Sequence, residues 1–171
     1  MVPPLDKGQR HPPRLDCVFT STIMKLLEFA CLGHRFAVPV SAVARVVPCA
    51  QPSVLPGAPP VVIGALALGG EVLVLVDAAR RFGLGQTRLA PQQRIVVLPV
   101  RGFLLGIVSD GEIGVTERTA GAALPATCAG DSVAGMVVAD DGLRVLLDPE
   151  QVLLREDDDA LRRALEAGGH D

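Results

Sequence analysis

The stretch PPVVIGALALGGEVLVLVDAARRFGL, residues 59–84, decides how the rest of the chain is organised. Within it, two short apolar runs at 63–68 and 71–76 are separated only by Gly69 and Gly70. Two consecutive glycines readily adopt the positive φ angles that a two-residue hairpin turn requires. The pattern therefore predicts an antiparallel β-hairpin at the centre of the sequence.

Both faces of this predicted hairpin are apolar. One face carries small or β-branched side chains, at Ile63, Ala65, Ala67, Val72, Val74 and Val76. The other face carries Gly64, Leu66, Leu73 and Leu75 beside Glu71. An antiparallel hairpin that covers a core normally alternates apolar with polar residues, so this one is either buried on both sides or offers one face to another molecule. We expect the first face to fill a core and the second to border a partner interface.

Short strands and tight turns continue through the rest of the chain. Further hairpins are predicted at residues 23–40, 94–109 and 133–147. Asp77 and the residues after it predict a short helix that ends at Gly83, and an amphipathic C-terminal helix is predicted around Leu161 and Leu165. Many short strands punctuated by turns, with few helices, are typical of small closed β-barrels.

Composition excludes several classes of protein. Of the 171 residues, 49 % are hydrophobic and 20 % are charged, so the chain can bury a core and is not disordered as a whole. A formal net charge of −3, without Trp, Tyr or a long basic run, argues against nucleic-acid binding. The lack of a secretory signal or a long apolar run predicts a cytoplasmic protein without direct membrane insertion. Residues 1–22, which are rich in proline and polar residues, are predicted to form a flexible leader.

No group of residues has the spacing of a catalytic, cofactor-binding or metal site, and we expect none of the three. The four cysteines lack CxxC spacing. Asp77 and Asp110 each end an apolar strand, where an aspartate more often binds backbone amides and fixes a turn. The acidic run at 156–159 fits a solvated helix start better than a cation site. The alternatives left open are a small-ligand-binding barrel and a divergent hydrolase that uses Asp77 or Asp110.

Four segments, taken in order, resemble the CheW-like family, the coupling proteins of bacterial chemotaxis arrays. They are LEFACLGHRFAVPVSAVARVV at 27–47, the central stretch at 59–84, FLLGIVSD at 103–110 and VAGMVVADDGLRVLLDPEQVLL at 133–154. The central stretch is the strongest match, because its proline-led strand, glycine turn, second strand and Asp-containing exit are similar to the family's pattern. The resemblance covers roughly residues 25–154.

The resemblance implies an all-β fold of two small, intertwined SH3-like five-stranded β-barrels packed together, with a short helix after the central hairpin and a C-terminal helix. It places the CheW-like domain at residues 23–155. A first lobe would comprise about 23–86 plus part of the C-terminal segment, and a second lobe about 92–147. Residues 156–171 would form the C-terminal helix and tail.

The function that the resemblance implies is that of a non-enzymatic adaptor of bacterial chemotaxis-type signal transduction. Such an adaptor couples the regulatory domain of a CheA-like histidine kinase to the cytoplasmic tip of a chemoreceptor, or to an alternative input. It needs no cofactor and is recruited from the cytoplasm to membrane-associated receptor arrays.

Two departures from the family's pattern concern residues that would face a partner. Members usually carry an Asn-x-Arg-Gly turn in the central hairpin, where this chain has ALGG at 67–70. They also tend to carry an acid where this chain has Arg45, and Glu71 is then the closest plausible acid to that arginine. The partner-interface candidates are Arg45, Leu66, Gly69, Gly70, Glu71 and Leu73.

Overall fold

The structure is a computed structural model that describes residues 23–119, 123–125, 133–139, 141–153 and 155–168. The predicted leader lies outside the described residues. The strands within these ranges are β1 (Ile23–Cys31), β2 (His34–Pro39), β3 (Arg45–Pro48), β4 (Val62–Leu68), β5 (Glu71–Val76), β6 (Arg94–Val100), β7 (Phe103–Thr119), β8 (Ala123–Pro125), β9 (Val133–Ala139) and β10 (Gly142–Leu147). The helices there are α1 (Ala78–Arg81) and α2 (Arg155–Gly168).

The long strand β7 belongs to two sheets and divides the molecule into two lobes. Its first part pairs antiparallel with β6 and parallel with β5, and these strands form the central lobe together with β3 and β4. Its second part pairs with β1, from which the sheet continues through β2, β10, β9 and β8 as the terminal lobe. The first and the last strands of the described chain therefore share one lobe, and the strands between them form the other.

This division differs from the predicted first lobe, about 23–86 plus part of the C-terminal segment, and from the predicted second lobe, about 92–147. The strands β1 and β2 do not pair with the central hairpin; instead β2 runs parallel to β10, with Phe36 opposite Val145. A parallel pairing between the two ends of a chain is not specified by any hairpin turn. Turn signals alone therefore assign β1 and β2 to the wrong lobe.

Three apolar clusters form the core. The cluster inside the central lobe contains Leu73, Leu75, Ile95, Val97 and Val108. The cluster inside the terminal lobe contains Leu26, Ala37, Val137 and Leu146. The largest cluster lies between the lobes, and it includes Leu27, Phe29, Phe36 and Val38 on one side and Val74, Val76, Val96 and Leu105 on the other. Each lobe thus buries apolar side chains both in its own interior and against its neighbour.

The central hairpin is buried on both faces along most of β5, which explains its apolar pattern. Leu73 and Leu75 point into the central lobe, whereas Val74 and Val76 face the terminal lobe, and all four are fully buried. The prediction that the valine face fills the barrel and the leucine face borders a partner is therefore wrong. The leucine face is the barrel interior, and the second lobe of the same chain covers the valine face.

The turn of the central hairpin has the predicted geometry. Gly69 and Gly70 have φ angles of 59° and 87°, and Leu68 lies opposite Glu71. Because both turn residues have positive φ, the two-residue loop matches the twist of the strands that it joins. The register of the hairpin next to the turn follows directly from this geometry.

A bulge changes the register at the other end of the hairpin. Counting residues back from the two-residue turn would place Ile63 opposite Val76, but Val62 takes this position and Ile63 packs with the central-lobe cluster. The irregularity lies at Gly64, where a Cβ atom would come within 2.5 Å of the carbonyl oxygen of Ser53. Glycine is required at this position because another segment of backbone approaches it so closely.

Asp77 fixes a turn at the end of its strand, as predicted, and Asp148 does the same after β10. The buried Asp77 accepts hydrogen bonds from the amide of Arg80 (3.2 Å), the amide of Thr87 (3.0 Å) and the Thr87 hydroxyl (2.7 Å). Asp148 accepts a hydrogen bond from the amide of Glu150 at 3.0 Å. Each carboxylate satisfies amides at the start of a helical turn that would otherwise lack partners.

The terminal lobe contains a buried charge network that joins β1, β7 and the β9–β10 hairpin. Glu28 is only 8 % exposed, and its carboxylate accepts hydrogen bonds from Thr116 (2.8 Å), Arg144 (3.1 Å) and Arg118 (3.2 Å). Arg144, which is 3 % exposed, also donates to both carboxylate oxygens of Asp141. Burial would raise the pKa of Glu28, but the three hydrogen bonds outweigh burial and hold this pKa below its ordinary value of 4.5.

We predict that Gly106 in β7 is essential for the packing of the central lobe. A Cβ atom on Gly106 would lie 2.6 Å from Ile95 Cγ2 and 2.7 Å from Leu75 Cδ2, both inside the buried cluster. Gly106→Ala should lower the free energy of unfolding by about 1–3 kcal/mol, measured by urea denaturation. Gly114→Ala in the same strand is the control, because a Cβ there meets no atom within 4 Å. Equal stability of the two variants would contradict the prediction.

We also predict that Glu28 makes stability depend on acid pH. A carboxyl whose pKa is lowered on folding stabilises the protein above its unfolded pKa, and this contribution is lost as the pH falls through the folded pKa. Glu28→Gln should lower the free energy of unfolding by about 1–3 kcal/mol at neutral pH, because it removes the carboxylate that Arg144 and Arg118 share and leaves only Asp141 to pair with the buried Arg144. Its stability should also fall less steeply below about pH 5.

The control for this experiment is Lys25→Gln, which breaks an exposed ion pair with Glu117 at 4.0 Å and should change stability by less than about 1 kcal/mol. Urea denaturation of each variant over a pH series measures both effects. If wild type and Glu28→Gln lost stability in parallel on acidification, other carboxyl groups would be responsible.

Candidate partner interface

The central hairpin turn carries an exposed ion pair. Nη2 of Arg45 on β3 lies 3.3 Å from Oε2 of Glu71, the first residue of β5. The side chain of Arg45 is 45 % exposed and that of Glu71 is 63 % exposed. Exposed pairs of this kind contribute about 0–1 kcal/mol to stability. A binding partner can therefore separate the two charges with little loss of folding free energy.

The ion pair also bridges the open side of the central lobe. Its sheet order is β3-β6-β7-β5-β4, in which β3 and β4 are the two edges. The Arg45–Glu71 contact reaches from one edge to the hairpin at the other edge. Further along β4, Ser53 and Ala65 exchange two backbone hydrogen bonds of 2.9 Å. The sheet is thus curled so far that its edges approach each other, as in a small barrel.

The predicted interface residues fall into two groups. Gly69, Gly70 and Glu71 are exposed at the hairpin turn, and Arg45 reaches them from β3. Leu66 is half-buried against the central-lobe cluster. Leu73 is wholly buried in that cluster, so its placement on an open interface is wrong. A strand whose two faces are both apolar gives no internal sign of which face is outermost, and this ambiguity caused the error.

An open groove begins beside the hairpin turn. It has a volume of about 680 Å³ and is lined by Glu71, Val72, Pro99, Val100, Arg101, Gly102, Phe103, Leu104 and Leu165. Val72 is 52 % exposed there, although the four residues after it in β5 are fully buried. Sequence reasoning missed Val72 as an exposed contact. Its position directly after the turn could have indicated this exposure, because the ends of a strand extend beyond the core and only the middle of the strand is covered.

The residues considered for catalysis have structural roles. Asp110 accepts hydrogen bonds from the amide of Leu32 at 2.9 Å and from the side-chain amide of Gln93, and Asp77 is occupied as a cap. Burial raises the pKa of the Cys31 thiol to about 12, which keeps it protonated. Within the described ranges, His, Cys, Asp and Glu side chains form no cluster of three that could hold a metal ion.

A comparison with protein families decides the class of this fold. The model of the CheW-like domain matches residues 25–157, which include both lobes. The chain belongs to the CheW-like family. The coarse functional class of the chain is that of a CheW-like scaffold or coupling protein in chemotaxis-type signalling.

Two relatives are similar in sequence to parts of this CheW-like chain. FrzA of Myxococcus xanthus is 29 % identical over 110 residues, which are 63 % of this chain and 69 % of FrzA. The chemotaxis protein CheW of Bacillus subtilis strain 168 is 26 % identical over 86 residues, which are 50 % of this chain and 55 % of that protein. The second alignment therefore spans little more than half of its relative.

A solved structure shares the fold. The scaffolding protein TtCheW of Thermoanaerobacter tengcongensis superimposes with a TM-score of 0.70 at 19 % identity, covering 80 % of this chain and 91 % of that one. The likeness confirms the predicted all-β fold with SH3-like barrels. The helices α1 and α2 are the predicted short helix after the central hairpin and the predicted C-terminal helix. In the part of the chain that the structure describes, no helix is long and apolar enough to cross a membrane.

Proposed function

We propose that this protein is a non-enzymatic adaptor that couples the regulatory domain of a CheA-like histidine kinase to a chemoreceptor tip or an alternative input. The observation that carries the proposal is the CheW-like match over residues 25–157. Relatives named as a chemotaxis protein and as a scaffolding protein support it. The adaptor acts in the cytoplasm at membrane-associated receptor arrays.

The Arg45–Glu71 pair supports a role in choosing the receptor or input. In the family's pattern an acid stands at the Arg45 position and an arginine in the central turn. Here Gly69 stands at the arginine's position, and the basic residue on β3 pairs instead with Glu71, the residue after the turn, so the polarity between β3 and the turn region is opposite. Charges at an interface act mainly on partner choice and association rate. An exchanged pair therefore favours a partner whose own charges are arranged accordingly.

The groove beside the turn supports a role in binding the kinase. Val72 presents an apolar side chain next to the charged Glu71, and Phe103 and Leu104 line the same groove from β7. Apolar anchors surrounded by polar residues are typical of the centre of a protein interface. We place the kinase contact at this groove.

The two alternative functions receive less support from the geometry. A hydrolase would need Asp77 or Asp110 free to act, but hydrogen bonds to backbone and side-chain groups occupy both carboxylates. A ligand-binding barrel would need an empty interior. Buried leucine, isoleucine and valine side chains fill the central lobe, and Gly106 has no room even for a methyl group.

Two adjacent residues test the kinase contact. Val72→Arg should keep the wild-type circular dichroism spectrum and melting temperature, because Val72 is half exposed, and it should weaken binding of the kinase regulatory domain roughly 30-fold by calorimetry. Leu73→Arg should fail to fold, because it would place a charge inside the central-lobe cluster. Wild-type affinity of a folded Val72→Arg variant would exclude the groove as the kinase contact.

Charge reversal tests the choice of input. Arg45→Glu should leave the melting temperature nearly unchanged, because the pair is exposed, and should change affinity for the receptor tip or other input roughly tenfold. The double variant Arg45→Glu/Glu71→Arg restores an ion pair with the family's polarity. Comparison of the two variants therefore distinguishes the effect of losing the ion pair from the effect of reversing its charges. If both variants bound every tested partner as wild type does, the pair would have no part in recognition.

A further inference from the structure

An arginine in the β6–β7 turn ties three parts of the chain together beside the groove. Arg101 has a φ angle of 47°, in a region that few residues other than glycine adopt. Its side chain donates to the carbonyl oxygens of Glu150 and Leu153, the latter at 3.0 Å. Its guanidinium also lies 3.6 Å from the carboxylate of Glu150 and 3.9 Å from that of Asp158 in α2.

The helix α2 returns these contacts. Arg162 donates to the carbonyl oxygen of Arg101 at 3.0 Å, and its guanidinium carbon lies 4.6 Å from the centroid of the Phe103 ring. Its Nε atom is 3.5 Å from the Asp158 carboxylate, so two arginines share this acid. We name the contacts among Arg101, Phe103, Asp158 and Arg162 the latch.

An apolar stripe also attaches α2 to the rest of the protein. Leu161 is buried in the core between the lobes, Leu165 packs against that core, and Ala164 is buried as well. The segment before the helix has its own anchors, because Val152 and Leu153 are buried in the core between the lobes. Arg101 contacts both this segment and α2, whereas Asp158 and Arg162 lie in α2 itself. Asp158→Asn therefore weakens the attachment of the helix and leaves the contacts of Arg101 with the segment in place.

The latch and the groove share residues. Arg101 and Phe103 line the groove, and Leu165 from α2 supplies one of its walls. If α2 moves away from the β6–β7 turn, the groove loses this wall and becomes wider on that side. Local opening of this kind occurs in segments that have few buried apolar contacts and many solvent-exposed backbone hydrogen bonds.

We propose that α2 is a displaceable strap, and that the latch controls access to the groove. With the latch closed, Leu165 occupies space at the groove margin. When the latch opens, α2 leaves while the two lobes stay folded, and the groove admits a larger apolar surface. The strap stands on the geometry alone; its effect on kinase binding rests on the function proposed above.

Hydrogen exchange of the full chain tests the latch. In Arg101→Gln and in Asp158→Asn, amides of α2 should exchange roughly fivefold faster than in wild type, whereas amides of β5 and β6 should be unchanged. Arg163→Gln is the matched control, because Arg163 donates within the helix to the carbonyl oxygen of Asp159 at 3.2 Å. Unchanged exchange of α2 in both latch variants, or equally faster exchange throughout the protein, would overturn the proposal.

Thiol labelling tests access to the groove without a partner. Leu104→Cys places a reactive group in the groove wall, and its labelling is followed at the peptide level by mass spectrometry. Labelling should be roughly fivefold faster when Arg101→Gln is added than when Arg163→Gln is added. Equal labelling rates would show that the strap does not control the groove, and would overturn that claim.

Titration with the kinase regulatory domain completes the test. If Arg101→Gln binds this domain more tightly than Arg163→Gln does, the strap also controls binding of the kinase. Equal affinities of the two variants would overturn the claim that the strap affects kinase binding. If wild type and all variants fail to bind this domain, the proposed kinase contact is wrong. The exchange and labelling results still decide the strap in that case, so the two failures are distinguishable.

Discussion

The structure depends on apolar contact between two curved sheets of one chain. Phe29 and Phe36 of the terminal lobe stack with ring centroids 5.8 Å apart, within the same cluster that contains Val74 and Val76 of the central lobe. Neither sheet could leave this face in water without exposing a large apolar area. The lobes are therefore halves of one cooperative unit, and the second apolar face of the central hairpin is used inside the molecule.

Local features of the fold were predictable from sequence because their causes are local. The Gly69-Gly70 turn sets the register of its hairpin, and Asp77 caps the helical turn that follows it. The contact of Arg45 with Glu71 was also anticipated, through the family resemblance. In each case, a few neighbouring residues or one family pattern contain the required information.

Non-local features were not predictable in the same way. Which strands share a lobe depends on the parallel pairing of β2 with β10, and neither strand carries a signal for the other. The burial of Leu73 depends on the same missing information, since either face of an apolar strand can be the inner one. The contacts of Glu28 with Arg118 and Arg144 join three distant strands, and each residue alone resembles an ordinary surface charge. Topology had to be known before these roles became visible.

Charged groups serve two separate purposes in this protein. Glu28 and Arg144 are removed from water and connected by hydrogen bonds, so each polar atom needs its partner in place. We expect one substitution in this network to disrupt it. Arg45 and Glu71 remain in water, and replacing them affects the fold very little. Surface charges of this second kind can change between related proteins without loss of the scaffold, which allows partner preference to diverge while the core is retained.

The strand β7 has a mechanical consequence. Its 17 residues run from the sheet of one lobe into the sheet of the other, with a bulge between Asp110 and Gly114 where Gly111 has a φ angle of 76°. A bulge bends its strand but keeps the residues on either side hydrogen-bonded to their partners, so the two lobes are joined by paired backbone on both sides of the bend. Proteins bound to the two lobes would be held at a set distance and angle. If partners bind to both lobes, as the proposed function requires, the chain would be a spacer of defined length, and displacement of one partner would move the other with it.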